Sequence, residues 1–149
     1  MTGKAEFTEQ EWKTVLEGPP AAGMIVITAQ RGGTFRETFA IGKAYAEARE
    51  QHGQSQLLDE IAAAKPEIDR TRYRDTDELR ERGLQHLRDA IELLERKATG
   101  EEVEDYRRFV LGLAEKVASA HREGGAAVSA AEQAALDQVA TALATSPAS

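Results

Sequence analysis

Gly18-Pro19-Pro20-Ala21-Ala22-Gly23-Met24-Ile25-Val26-Ile27-Thr28 is the stretch on which the fold turns. The run from Met24 to Thr28 is apolar and β-branched, and periodicity alone does not separate a buried strand from a buried helix in a segment that short. A strand would need a pairing partner for its backbone N–H and C=O groups. No second convincing strand exists elsewhere in the chain, so the helical reading is preferred and the whole sequence reads as all-α. The preceding Gly18-Pro19-Pro20 predicts a break, and because proline suits a first helical turn, a new helix is expected from Pro20 to Gln30.

Working outward, helix starts and stops recur along the chain. Upstream, Thr8 and Glu11 form a capping box in which hydroxyl and carboxylate satisfy each other's backbone donors. The helix they open carries Trp12, Val15 and Leu16. Downstream, Arg31-Gly32-Gly33 ends the Pro20 segment, and Thr34 with Glu37 repeats the capping box. The helix that follows, through Phe35, Phe39, Ala40, Ala44 and Ala48, is expected to stop near Gly53. Ser55 caps a short helix holding Leu57, Leu58 and Ile61 that closes before Pro66. Residues 67–75 read as a connection, anchored by Ile68 and Tyr73.

Two long amphipathic helices come next. Thr76 to Lys97 places Leu79, Gly83, Leu87, Ala90, Ile91 and Leu94 on one stripe, with charges opposite. Thr99-Gly100 interrupts it. Glu101 to Arg122 spaces Val103, Tyr106, Val110, Leu113 and Val117 by steps of three and four, with Phe109, Ala114 and Ala118 widening the seam. After Gly124-Gly125, Ser129 and Glu132 make a third capping box for a last helix with Leu136, Val139, Ala140 and Leu143. The expected architecture is an all-α, single-domain bundle of six to seven helices over residues 1–144, with a small polar tail at 145–149.

Composition narrows the function classes. The chain has 149 residues, 41% hydrophobic, with a formal net charge of −7 and no cysteine. That length supports one core without staples, and the lack of cysteine excludes disulfides and thiolate chemistry while fitting a reducing compartment. No apolar run approaches the ~20 residues that span a bilayer, and the polar, acidic start does not read as a signal peptide. The expected setting is cytoplasmic. The acidic balance disfavours nucleic acid and anionic lipid as partners.

His52, His86 and His121 have no partners at metal-ligand spacing, so no metal and no cofactor is assigned. The acidic run Glu101 to Asp105 lacks a calcium-loop pattern and reads as a solvated helix start that complements the helix dipole. Gly32-Gly33 before Thr34 could cradle an anion on free N–H groups, but no strand or lysine completes a P-loop. Ser55 and Ser129 are caps rather than nucleophiles. Arg70, Arg72 and Arg74, interleaved with Tyr73, form a candidate contact for an anion or partner, diluted by Asp69, Asp75, Asp77 and Glu78. Trp12, Phe35, Phe39, Tyr45 and Phe109 are assigned to the core. Gly83, on a buried stripe at a cost of ~1 kcal/mol against alanine, marks either close helix approach or a ligand gap. With Tyr106 it defines a candidate small-molecule pocket between the two long helices.

Two junctions echo each other. Val26-Ile27-Thr28-Ala29-Gln30-Arg31-Gly32-Gly33-Thr34-Phe35-Arg36-Glu37 joins one helix pair, and Val117 to Gly125 followed by Ser129-Ala130-Ala131-Glu132 joins another. Here the chain resembles the TerB-like (tellurite-resistance) helical family, over Ala22 to Phe39 and Phe109 to Leu143, about half its length. The resemblance implies an all-α protein of two similar halves. It also implies a bacterial, stress-related module; the absence of an acid–base pair at credible spacing disfavours an enzyme, and a protein partner is expected, with a homo-oligomer left open. The family's junction aspartates, associated with a metal-binding acidic surface, are replaced by Gln30 or Arg31 and by His121 or Arg122. Metal binding is therefore not carried over.

Overall fold

The computed structural model describes residues 6–29, 35–50, 56–63, 75–123 and 130–144. They form six helices: α1 Glu9–Ala29, α2 Phe35–Glu50, α3 Gln56–Ala63, α4 Thr76–Lys97, α5 Gly100–Glu123 and α6 Ala130–Ala144. No strand occurs among the described residues, and the all-α bundle expected from the periodicity is the fold observed.

Helix starts follow the local chemistry. At α1, the Thr8 N–H donates to Glu11 Oε1 at 2.9 Å and the Glu11 N–H donates to Thr8 Oγ1 at 3.1 Å, the reciprocal box expected from the sequence. Phe7, one residue before the cap, packs on Trp12 with ring centroids 5.6 Å apart. That contact is a hydrophobic staple and sets the angle at which the chain enters the helix. α4 is capped by Asp75, whose Oδ1 accepts from the Glu78 N–H at 2.8 Å. α5 starts with a box that the sequence reading took for a plain break. The Thr99 N–H donates to Glu102 Oε1 at 3.0 Å, and the Glu102 N–H donates to Thr99 Oγ1 at 3.1 Å. Glu102 is consequently buried, whereas Glu101 and Glu104 beside it are exposed. The boxes expected at Thr34–Glu37 and Ser129–Glu132, the Ser55 cap, the side chains of Phe35 and Phe39, and the tail at 145–149 lie outside the described residues.

The break expected at Gly18-Pro19-Pro20 does not occur. α1 runs through both prolines as one helix, and everything from Gly18 to Ile27 is buried except the half-buried Ala21. A helix apolar on all sides belongs in the middle of a bundle. α1 accordingly packs against α4 and α5 most extensively, and against α6 and α2 as well. α4 lies antiparallel to it, since Lys97 meets Glu11 while Gly83 meets Ile25. α5 runs parallel to it, since Tyr106 meets Val15 and Gly18 while Leu113 approaches Gly23. The two long amphipathic helices hardly touch each other, because α1 stands between them. Their stripes read correctly: Leu79, Leu87, Ile91 and Leu94 of α4, and Val103, Tyr106, Val110, Leu113 and Val117 of α5, are all buried. Tyr45 of α2 is buried too, edge-on to half-buried Phe109 at 5.4 Å.

Candidate functional site

The place singled out in the sequence, around Gly83 and Tyr106, is where α1 is held. A helical proline at 19 removes the N–H that would donate to the carbonyl of residue 15. The Val15 carbonyl, inside the core, is left without its helical donor, and the Tyr106 hydroxyl supplies one, donating to Val15 O at 2.7 Å. Gly18 makes that approach possible. A Cβ at position 18 would overlap the Tyr106 hydroxyl oxygen and come within 3.3 Å of Cζ and 3.6 Å of Leu87 Cδ2. Gly18, Pro19 and Tyr106 thus act as one unit: the proline frees a carbonyl, the glycine opens a path, and the phenol closes the bond. Full burial of Tyr106 holds its hydroxyl well above the ordinary phenol range, in the neutral form that can donate.

Gly83 decides between its two readings in favour of close approach. A Cβ there would stand 2.9 Å from Ile25 Cδ1, 3.2 Å from Ile25 Cγ1 and 3.8 Å from Ala21 Cβ, so the side chain of Ile25 fills the notch. At both positions the neighbour is α1, with Ile25 against Gly83 and the Val15–Gly18 turn against Tyr106. Gly83 and Tyr106 thus share α1 as a neighbour. Gly23 allows a third close approach, with Ile41 Cδ1 at 2.7 Å and Leu113 Cδ2 at 3.0 Å from its notional Cβ.

The polar groups of α1 and α4 line one seam. Lys97 Nζ reaches Glu11 Oε1 at 2.7 Å and the Glu6 carbonyl at 3.2 Å, and lies 5.6 Å from the Phe7 ring centroid. The hydrogen bond from Lys97, with the Thr8 backbone donor next, holds the Glu11 carboxyl below its usual range. Further along, His86 Nε2 stands 3.2 Å from Glu17 Oε2. That buried nitrogen makes no hydrogen bond. A shallow depression of about 260 Å³ opens on the same seam, lined by Gln10, Glu11, Thr14, Asp89, Glu92, Leu93 and Arg96. It is smaller than the ~300–1,000 Å³ of ordinary small-molecule sites.

Two arginines that the sequence reading passed over tie helix ends to the bundle. Arg107 Nε donates to the Leu143 carbonyl at 2.6 Å, at the C-terminus of α6, while the same guanidinium pairs with Glu104 and lies 3.7 Å from Glu95 of α4. Arg49 Nε donates to the Ala62 carbonyl of α3 at 2.7 Å. Nothing in local spacing announces either bond, since donor and acceptor are 36 and 13 residues apart. The Thr99–Glu102 box, by contrast, was legible as an S/T-x-x-E pattern.

The candidate contact Arg70, Arg72 and Arg74, and the side chains of His52 and His121, lie outside the described residues. Among the described residues, no group of three or more histidines and carboxylates is arranged to hold a metal ion, and no helix is long and apolar enough to cross a membrane. Comparison with known protein families, with curated proteins and with solved structures finds no match to this chain.

Proposed function

We propose that this chain is a non-enzymatic helical module of TerB-like type that acts by contact with another protein in a bacterial cytoplasm, in a stress-related setting. One observation carries the reading. The described interior is committed to holding helices together: the Tyr106 hydroxyl closes α1 and the Glu102 carboxylate caps α5, while Ile25 fills the notch at Gly83. Recognition then falls to the helix surfaces. Residues of α4 and α5 such as Glu92, Arg108 and Glu115 point outward there, on a chain of net charge −7.

The test is site-specific photo-crosslinking in cells from Gln85, Glu92, Arg108, Glu115 and Gln138, each exposed. The expected result is crosslinking to one discrete protein from adjoining positions and not from the others. Crosslinking without positional preference would argue against the reading. So would a metabolite screen in which a compound raises thermal stability with the logarithm of its concentration, since a ligand at 100 times its Kd adds about 2.7 kcal/mol.

A further inference from the structure

α6 is held differently from the helices it covers. Over residues 133–144 it buries two large side chains, Val139 and Leu143, together with Ala135 and Ala142. α4 alone buries Leu79, Leu84, Leu87, Ile91, Leu93 and Leu94. α6 packs on α1, α4 and α5, and α1 also packs directly on α4, α5 and α2. The closures at Tyr106–Val15, Ile25–Gly83 and Lys97–Glu11 all lie within that inner set. Removing α6 would uncover the core and break none of them.

Arg107 holds the far end of α6. The last carbonyls of a helix lack intrahelical donors and carry the negative end of its dipole. Arg107 Nε meets one of them, the Leu143 oxygen, at 2.6 Å. The guanidinium is held between Glu104 of α5 and Glu95 of α4, neither of which belongs to α6. Its carboxylate partners therefore hold it from the core side of the α6 docking place.

We propose that α6 is a releasable lid over the α1–α4–α5 core, opening as one unit ahead of α1 and α4, with Arg107 as the latch that sets how often it opens. The device follows from unequal burial and from a charge-assisted bond to a helix end, and it stands apart from the functional reading above.

Hydrogen exchange on the full chain, followed by mass spectrometry with increasing denaturant, tests it. Amides of α6 from 135 to 143 are expected to share one opening and to exchange at least about tenfold faster than those of α1 and α4, the pattern of a sub-global unit. Arg107→Ala should accelerate that opening by a further factor of about ten, the scale of a lost charge-assisted hydrogen bond, and leave α1 and α4 unchanged. Exchange of α6 at the rate of α1 and α4 overturns the lid, as does residue-by-residue fraying inward from Ala144. An unchanged α6 in Arg107→Ala, or equal acceleration of every helix, overturns the latch. Should that variant fail to fold, the wild-type comparison still decides on the lid, and wild-type exchange in high salt decides on the latch: screening should speed α6 opening more than that of α1 and α4, and an α6 that moves no more than they do would refute it.

Discussion

Replacing Tyr106 with Phe removes one oxygen atom and leaves the ring that fills the space between α1, α4 and α5. The change isolates the hydroxyl that donates to Val15 O at 2.7 Å. Because Pro19 has no N–H, that carbonyl has no helical donor to fall back on. It would remain buried and unsatisfied, at a cost of about 1–3 kcal/mol. For a chain of this size, each 1 kcal/mol moves Tm by about 2–4 °C, so a Tm lowered by about 5 °C is the central expectation. Urea denaturation with an unchanged slope would show that stability rather than compactness has changed. The sharper form is a double-mutant cycle with Pro19→Ala. Alanine restores the N–H to Val15 O, so Tyr106→Phe should cost less by about 1 kcal/mol in that background. A cost below about 0.5 kcal/mol, within the range of neutral surface changes, or an equal cost in both backgrounds, would refute the account of Gly18, Pro19 and Tyr106 as one unit.

Glycine substitutions should separate by environment. Gly18→Ala is expected to destabilise by about 1–3 kcal/mol as the methyl displaces the buried phenol, and less so in Tyr106→Phe. Gly112→Ala, which meets nothing within 4 Å, should stabilise by up to ~1 kcal/mol through helix propensity, as calorimetry would show. Thr99→Ala should cost about 1 kcal/mol through the lost cap of α5, read as a lower urea midpoint; an unchanged midpoint would remove the box from the account. The pH dependence has two sides. Glu11 is held below its ordinary 4.5 by Lys97 and Thr8, so its contribution is present above the unfolded value and lost as pH falls through the folded one. Lys97→Met should flatten the acid side of the stability profile. Tyr45 and Tyr106 are raised above 10.0 by burial, so their contribution is present below that value and is lost as pH rises beyond it. Spectrophotometric titration should show these two phenols ionising only with alkaline unfolding.

The sequence by itself determined where most helices begin and which faces are greasy. Thr8 and Glu11, the α4 stripe from Leu79 to Leu94, and the α5 seam from Val103 to Val117 are local patterns with periods of three and four, so their readings needed no neighbours. Tertiary structure decided what those helices enclose. Gly18-Pro19-Pro20 is a breaker by local rules, and α1 passes through it because a phenol 91 residues from Val15 replaces the missing donor. Gly83 is ambiguous in isolation, and Ile25 resolves it. Arg107 reads as one more surface charge until the end of α6 is brought against it. Each case turns on a bond or contact between residues far apart in the chain, and local periodicity carries no information about which carbonyl will be left without a partner or which side chain will arrive to meet it.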